Sequence, residues 1–168
     1  LNFSNGSVAL GLNAGQAFTT GTSTVAIGAS ALFNNTSGSG NIALGEQTLF
    51  TNTTASNNVA LGYRSMFSNT SGEDNVALGA YTLFNNIDGN MNNAIGREVL
   101  YSNTSGSWNT AIGDYTLWSN TTGGDNIAIG DSAMYSNTTG YSNIGLGYYA
   151  LGEKTTGDSN VGVGVYTM

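Results

Sequence analysis

The chain contains no cysteine and no histidine, and only three of its 168 residues are Lys or Arg. The first two absences remove the thiolate nucleophile, the imidazole base and the usual ligands of zinc and iron–sulfur sites. Disulfide stapling is excluded as well. Ten Asp and Glu leave a formal charge of −7, the wrong sign for a phosphate-binding surface, so nucleic acid is not an expected partner. No apolar run reaches the roughly 18–20 residues of a membrane span, and Leu1-Asn2-Phe3-Ser4 lacks the basic start of a signal peptide. Direct membrane insertion by this segment is therefore not expected. The residues read as one repeat domain, 1–168, excised from a longer fibrous protein.

Low charge with abundant Ser, Thr, Asn and Gly would suit a disordered chain, but 39% of the residues are hydrophobic, and their placement is regular. Glycine recurs at Gly11, Gly28, Gly45, Gly62, Gly79, Gly96, Gly113, Gly130, Gly147 and Gly164. The interval is 17 throughout, without insertion or deletion. A block of Asn, β-branched residue, Ala and aliphatic residue precedes most of these glycines, as in Asn58-Val59-Ala60-Leu61 and Asn126-Ile127-Ala128-Ile129. Four residues after the glycine comes Leu or Met, as at Leu32, Met66 and Leu117, followed by an aromatic residue. A polar turn such as Ser68-Asn69-Thr70-Ser71-Gly72 closes the unit.

Seventeen residues are too few for a helix pair or a propeller blade, but they suit one coil of two short strands and two turns. The expected fold is all-β, a parallel β-solenoid of about ten coils. Unbroken spacing follows from stacking in register, because one extra residue would turn every later side chain to the opposite face.

The period of two along a strand places Val59 and Leu61 on one face and Ala60 on the other. The sequence reading puts the aliphatic pair inside the coil. Ala26, Ala43, Ala60, Ala77, Ala94, Ala111 and Ala128, relaxing to Gly145 and Gly162, then form a flat outer face suited to close packing against another chain. Asn93 and Thr110 break the inner row, so their coils are expected to be the loosest. A slim coil orders many residues around little core, and assembly through the Ala face or the aromatic row is expected to supply what one chain lacks.

Asn35, Asn52, Asn69, Asn86, Asn103, Asn120 and Asn137 stack one per coil and are expected to form a structural ladder. Several also head Asn-Thr-Ser or Asn-Thr-Thr triplets, formally glycosylation acceptors, in turns expected to be exposed.

The blocks Ser7-Val8-Ala9-Leu10-Gly11, Thr24-Val25-Ala26-Ile27-Gly28 and Asn75-Val76-Ala77-Leu78-Gly79 resemble the head repeats of trimeric autotransporter adhesins, the YadA-like family. Similar Ala-Ile-Gly and Asn-Thr-Thr-Gly repeats occur in bacteriophage tail-fibre proteins. The resemblance spans the whole chain and implies a left-handed β-roll assembled as a parallel homotrimer. It also implies an extracellular location, on a bacterial surface or a virion tail fibre. The coil here is longer than the usual adhesin head repeat, and no neck, stalk or membrane anchor lies in these residues.

For binding, the informative feature is the aromatic row Phe33, Phe50, Phe67, Phe84, Tyr101, Trp118 and Tyr135. Its two readings are packing, including at a subunit interface, and contact with a host-surface glycan or protein. Carboxylates are the only candidates for catalysis, and they are scattered. Asp114 and Asp131 occupy one repeat position in adjacent coils, about 5 Å apart. That pair could serve a glycosidase or calcium but reads better as solvated surface charge. No catalytic, cofactor or metal residue is assigned, and no enzyme activity is expected. The Thr row at Thr19, Thr36, Thr53, Thr70, Thr104, Thr121, Thr138 and Thr155 keeps a second function open, ice binding, although it lies in a turn. A glycan-cleaving tailspike is the third possibility. The favoured expectation is a structural or adhesive segment of an extracellular fibre.

Overall fold

A computed structural model of the chain describes residues 6–154 and 156–168. Its regular elements are ten strands of three residues: β1 (Val8–Leu10), β2 (Val25–Ile27), β3 (Ile42–Leu44), β4 (Val59–Leu61), β5 (Val76–Leu78), β6 (Asn93–Ile95), β7 (Thr110–Ile112), β8 (Ile127–Ile129), β9 (Ile144–Leu146) and β10 (Val161–Val163). They form one parallel sheet in chain order. Each residue pairs with the one 17 positions on, as Val59 with Val76 and Leu61 with Leu78. The fold is a parallel β-solenoid, and the nine strand-to-strand steps at about 4.8 Å make a sheet about 43 Å long.

The expectation of two strands per coil is corrected: each coil contributes a single strand to the sheet. The rest of the coil is turn, yet it still bonds to its neighbours. Met66 N donates to Thr82 O at 2.9 Å and Ser68 N to Phe84 O at 3.0 Å, both one coil ahead, whereas Arg64 N donates to Glu46 O at 3.0 Å, one coil behind. This alternation is produced by positive φ at Arg64 (54°) and Met66 (52°), repeated at equivalent positions in nearly every coil. Left-handed backbone at a bulky residue is uncommon and costs on the order of 1–3 kcal/mol. Hydrogen bonds to both adjacent coils hold it in place.

The glycine column has a steric cause. Gly62 has φ of 128°, and a Cβ there would lie 2.5 Å from the carbonyl oxygen of Gly79. Coils approach too closely at this corner for any side chain.

The sign of the strand alternation is the reverse of expectation. Ala26, Ala43, Ala60, Ala77, Ala94, Ala111 and Ala128 have no exposed surface, whereas the residues on either side of each are partly or fully exposed. Alanine faces the lumen, and the aliphatic pair faces out. The reason is volume. The one large buried side chain of nearly every coil comes from the Leu/Met column, at Leu32, Leu49, Met66, Leu83, Leu100, Leu117, Met134 and Leu151, and it reaches across to the strand. A Cβ added at Gly145 would lie 2.9 Å from Met134 Cγ, and one at Gly162 would lie 2.8 Å from Leu151 Cγ. Beside such a side chain the strand can present only a methyl group or hydrogen.

Candidate functional site

Three surfaces of the rod carry repeated side chains that a ligand or partner would meet, and a buried polar network fixes their spacing.

The network consists of two asparagine ladders. Asn35, Asn52, Asn69, Asn86, Asn103, Asn120 and Asn137 are buried. In each link Nδ2 donates to the preceding ladder oxygen, as Asn52 to Asn35 Oδ1 at 2.7 Å and Asn86 to Asn69 Oδ1 at 2.8 Å. The same amide donates within its own coil, as Asn69 to Gly72 O at 2.9 Å. A second ladder runs through Asn41, Asn58, Asn75, Asn92, Asn109, Asn126 and Asn143, also buried. Asn58 Nδ2 donates to that same Gly72 O at 2.8 Å, so both lone pairs of one turn carbonyl are satisfied, one from each ladder. No buried side-chain N or O lacks a partner among the described residues. The sequence reading identified the first ladder but gave no role to the second, whose signal was the Asn that heads each repeat block. The expectation that whole Asn-Thr-Ser-Gly turns are exposed is corrected: Asn69 and Gly72 are buried, and Thr70 and Ser71 face solvent. Buried ladder amides are closed to glycosylation in the folded chain.

The first surface is the aromatic column. Phe33, Phe50, Phe67, Phe84, Tyr101, Trp118 and Tyr135 stack one on the next with centroids 5.1–5.5 Å apart and planes within 15° of parallel. Each ring from Phe50 to Trp118 is thus covered on both faces by its neighbours. Stacking on a sugar or a cation requires a ring face, and this stretch of the column presents edges. Arg64 lies over the Tyr63 and Phe67 rings at 5.2 and 5.5 Å. Tyr81, Glu98, Tyr101 and Trp118 line a shallow hollow of about 380 Å³, where Trp118 Nε1 donates to Glu98 Oε2 at 3.1 Å.

The second surface is the threonine row. Its hydroxyls are engaged along the rod: Thr19 Oγ1 donates to Thr36 O at 2.8 Å, Thr36 to Thr53 O at 3.0 Å, and Thr104 to Thr121 O at 3.1 Å. Thr155 lies outside the described residues. The carboxylates are scattered. Asp114 accepts from Arg97 N at 2.9 Å and pairs with its guanidinium at 3.5 Å, both side chains about half exposed, which contributes little to stability. Asp131 accepts from the Ser132 hydroxyl at 2.7 Å. No group of three Asp or Glu that could hold a metal occurs among the described residues.

The third surface is the outer face of the sheet. One column reads Val8, Val25, Ile42, Val59, Val76, Asn93, Thr110, Ile127, Ile144 and Val161. The other reads Leu10, Ile27, Leu44, Leu61, Leu78, Ile95, Ile112, Ile129, Leu146 and Val163. Eighteen of these twenty positions are aliphatic, and several are well exposed, from 37% at Ile112 to 68% at Val161. Asn93 and Thr110 also point outward, while Ala94 and Ala111 beneath them are fully buried. The expected loosening of the interior at these coils is therefore corrected.

No protein-family model, no curated protein and no solved structure matches the chain.

Proposed function

We propose that the chain is a structural and adhesive segment of an extracellular trimeric fibre, carried on a bacterial surface or in a virion tail, whose copies pack through the outer face of the sheet. The observation that carries the proposal is that face. Two uninterrupted columns of large aliphatic side chains on a monomer mark an interaction surface, and their spacing selects the partner. A surface repeating every coil spacing is matched along its length only by another surface of the same pitch and straightness, and a second copy of this chain has both.

The nine most exposed of these side chains return on the order of 9 kcal/mol when shielded, at about 1 kcal/mol each. Association costs roughly 4–15 kcal/mol. Many coils acting together are needed, which suits a long repetitive fibre. The Ala columns, expected to meet partner chains, are inside the coil and have no part in this interface. The three-chain count, the left-handed winding and the extracellular location rest on the resemblance of the Val-Ala-Leu-Gly blocks to adhesin head and tail-fibre repeats. Such a fibre would meet a host-surface glycan or protein along its exposed flanks. Ice binding gains no support from the threonine row, whose hydroxyls are bonded along the rod.

Light scattering on the purified segment tests the reading. The expected mass is about 52 kDa, three times the chain's 17.2 kDa. Replacing Ile42 and Ile127 by Lys should reduce it to that of one chain with an unchanged far-ultraviolet spectrum. A well-folded monomer in the unmodified protein would overturn the assembly, and thermal hysteresis in that monomer would favour the ice-binding reading.

A further inference from the structure

We infer that Asn93 and Thr110 set the axial register in which copies of the chain assemble, an inference that rests on the outer face being the interface. The physical problem is degeneracy. The face repeats every 17 residues, so sliding one copy by one coil along another lays aliphatic residues on aliphatic residues again. Apolar packing is non-directional and cannot distinguish the two arrangements.

Only one place on the face is unlike the rest. Asn93 on β6 and Thr110 on β7 are adjacent in the pairing register, with Val76 before them and Ile127 after. Both point outward. The amide of Asn93 and the hydroxyl of Thr110 make no hydrogen bond to any described residue, unlike the ladder asparagines, whose every link is closed. Their polar groups are therefore available to a partner.

In register, the Asn93 amides of the copies meet, and an amide carries both donors and acceptors, so like pairs with like. After a slip of one coil, the amide faces Val76 or Thr110 of the neighbouring copy, and a Thr110 hydroxyl faces Ile127. Polar groups are then shielded from water without partners, and that arrangement is disfavoured. A single polar position in an apolar seam fixes register in coiled coils by the same means.

The chain has no cysteine, so single spin labels can be placed at Thr54→Cys and Thr139→Cys. Both positions are exposed, and they are equivalent positions five coils apart. Orthogonal labels on separate chains of a mixed assembly report an axial separation of about 24 Å at about 4.8 Å per coil. The unmodified face is expected to give one distance component. The N93V/T110V variant should keep the mass of the assembly and show added components displaced by one coil spacing, with slipped forms at least about tenfold more populated, an equilibrium change of about 1.4 kcal/mol. Valine already fills this position in β1, β2, β4 and β5, so folding should be retained. Adding V59N and V76T to that variant should restore a single component.

A double variant with the single component of the unmodified protein overturns the inference, as does an unmodified assembly already mixed in register, a double variant that no longer assembles, or failure of the relocated pair to restore one component. A monomeric unmodified protein overturns the assembly reading itself, and the light-scattering mass separates that result from the others.

Discussion

Replacing Asn69 by Ala removes one link from the first ladder, and the structure gives the size of the effect. Three hydrogen bonds disappear: Asn69 Nδ2 to Asn52 Oδ1 at 3.1 Å, Asn69 Nδ2 to Gly72 O at 2.9 Å, and Asn86 Nδ2 to Asn69 Oδ1 at 2.8 Å. Two of the orphaned groups keep a second partner. Gly72 O still accepts from Asn58, and Asn86 still donates to Gly89 O. Asn52 Oδ1 is left buried without a donor, which costs about 1–3 kcal/mol, and the two compensated bonds add about 1 kcal/mol each. The expected loss is about 3–5 kcal/mol, read as a shift of the urea midpoint followed by circular dichroism, with faster amide exchange centred on the coils of Asn52, Asn69 and Asn86. Asn93→Ala provides the comparison, since its amide has no partner within the chain; in the separated monomer it should change stability by less than about 0.5 kcal/mol. A loss below about 1 kcal/mol for Asn69→Ala would refute the ladder as a stabilising element.

Gly62→Ala should destabilise by several kcal/mol, because φ of 128° and the Gly79 carbonyl both oppose a Cβ. Gly72→Ala should cost less than half as much in the same denaturation assay, since its φ is not in the left-handed range and Ala55 already occupies the equivalent position with 1% exposure. Ala60→Leu should lower stability by about 1–3 kcal/mol or more by overfilling the lumen beside Met66, whereas Leu61→Ala should barely change the stability of the separated monomer and should weaken assembly; the opposite ranking would restore the original assignment of faces. The Tyr149 hydroxyl is hydrogen-bonded to Glu153 Oε1 at 2.9 Å, and this bond, then burial, holds its pKa above 10.0. A raised folded pKa means that the contribution is present below pH 10 and is lost as pH rises through the folded value. Glu153→Gln should bring the Tyr149 step in an absorbance titration near 295 nm back towards 10.

Much of this architecture was legible along the chain because a solenoid turns sequence spacing directly into spatial stacking. The 17-residue interval determined the coil, the parallel pairing, the glycine column and the lines of aromatic rings and turn asparagines. The period of two in Val59-Ala60-Leu61 determined that Ala60 opposes its neighbours, but alternation carries no sign. Which face is inside depended on how much volume the lumen has left once Met66, six residues further on, fills it, and that is a property of the closed coil. Pairing large with buried misled for this reason. The same closure decided that only one three-residue strand fits, because alternating left-handed positions such as Arg64 and Met66 carry the remaining hydrogen bonds. It also brought Asn58 and Asn69, 11 residues apart, onto the one carbonyl of Gly72 in the following turn. The choice of outer face was likewise a tertiary matter: once the Leu/Met column occupied the interior, the eighteen aliphatic side chains of the strands had nowhere to go but out.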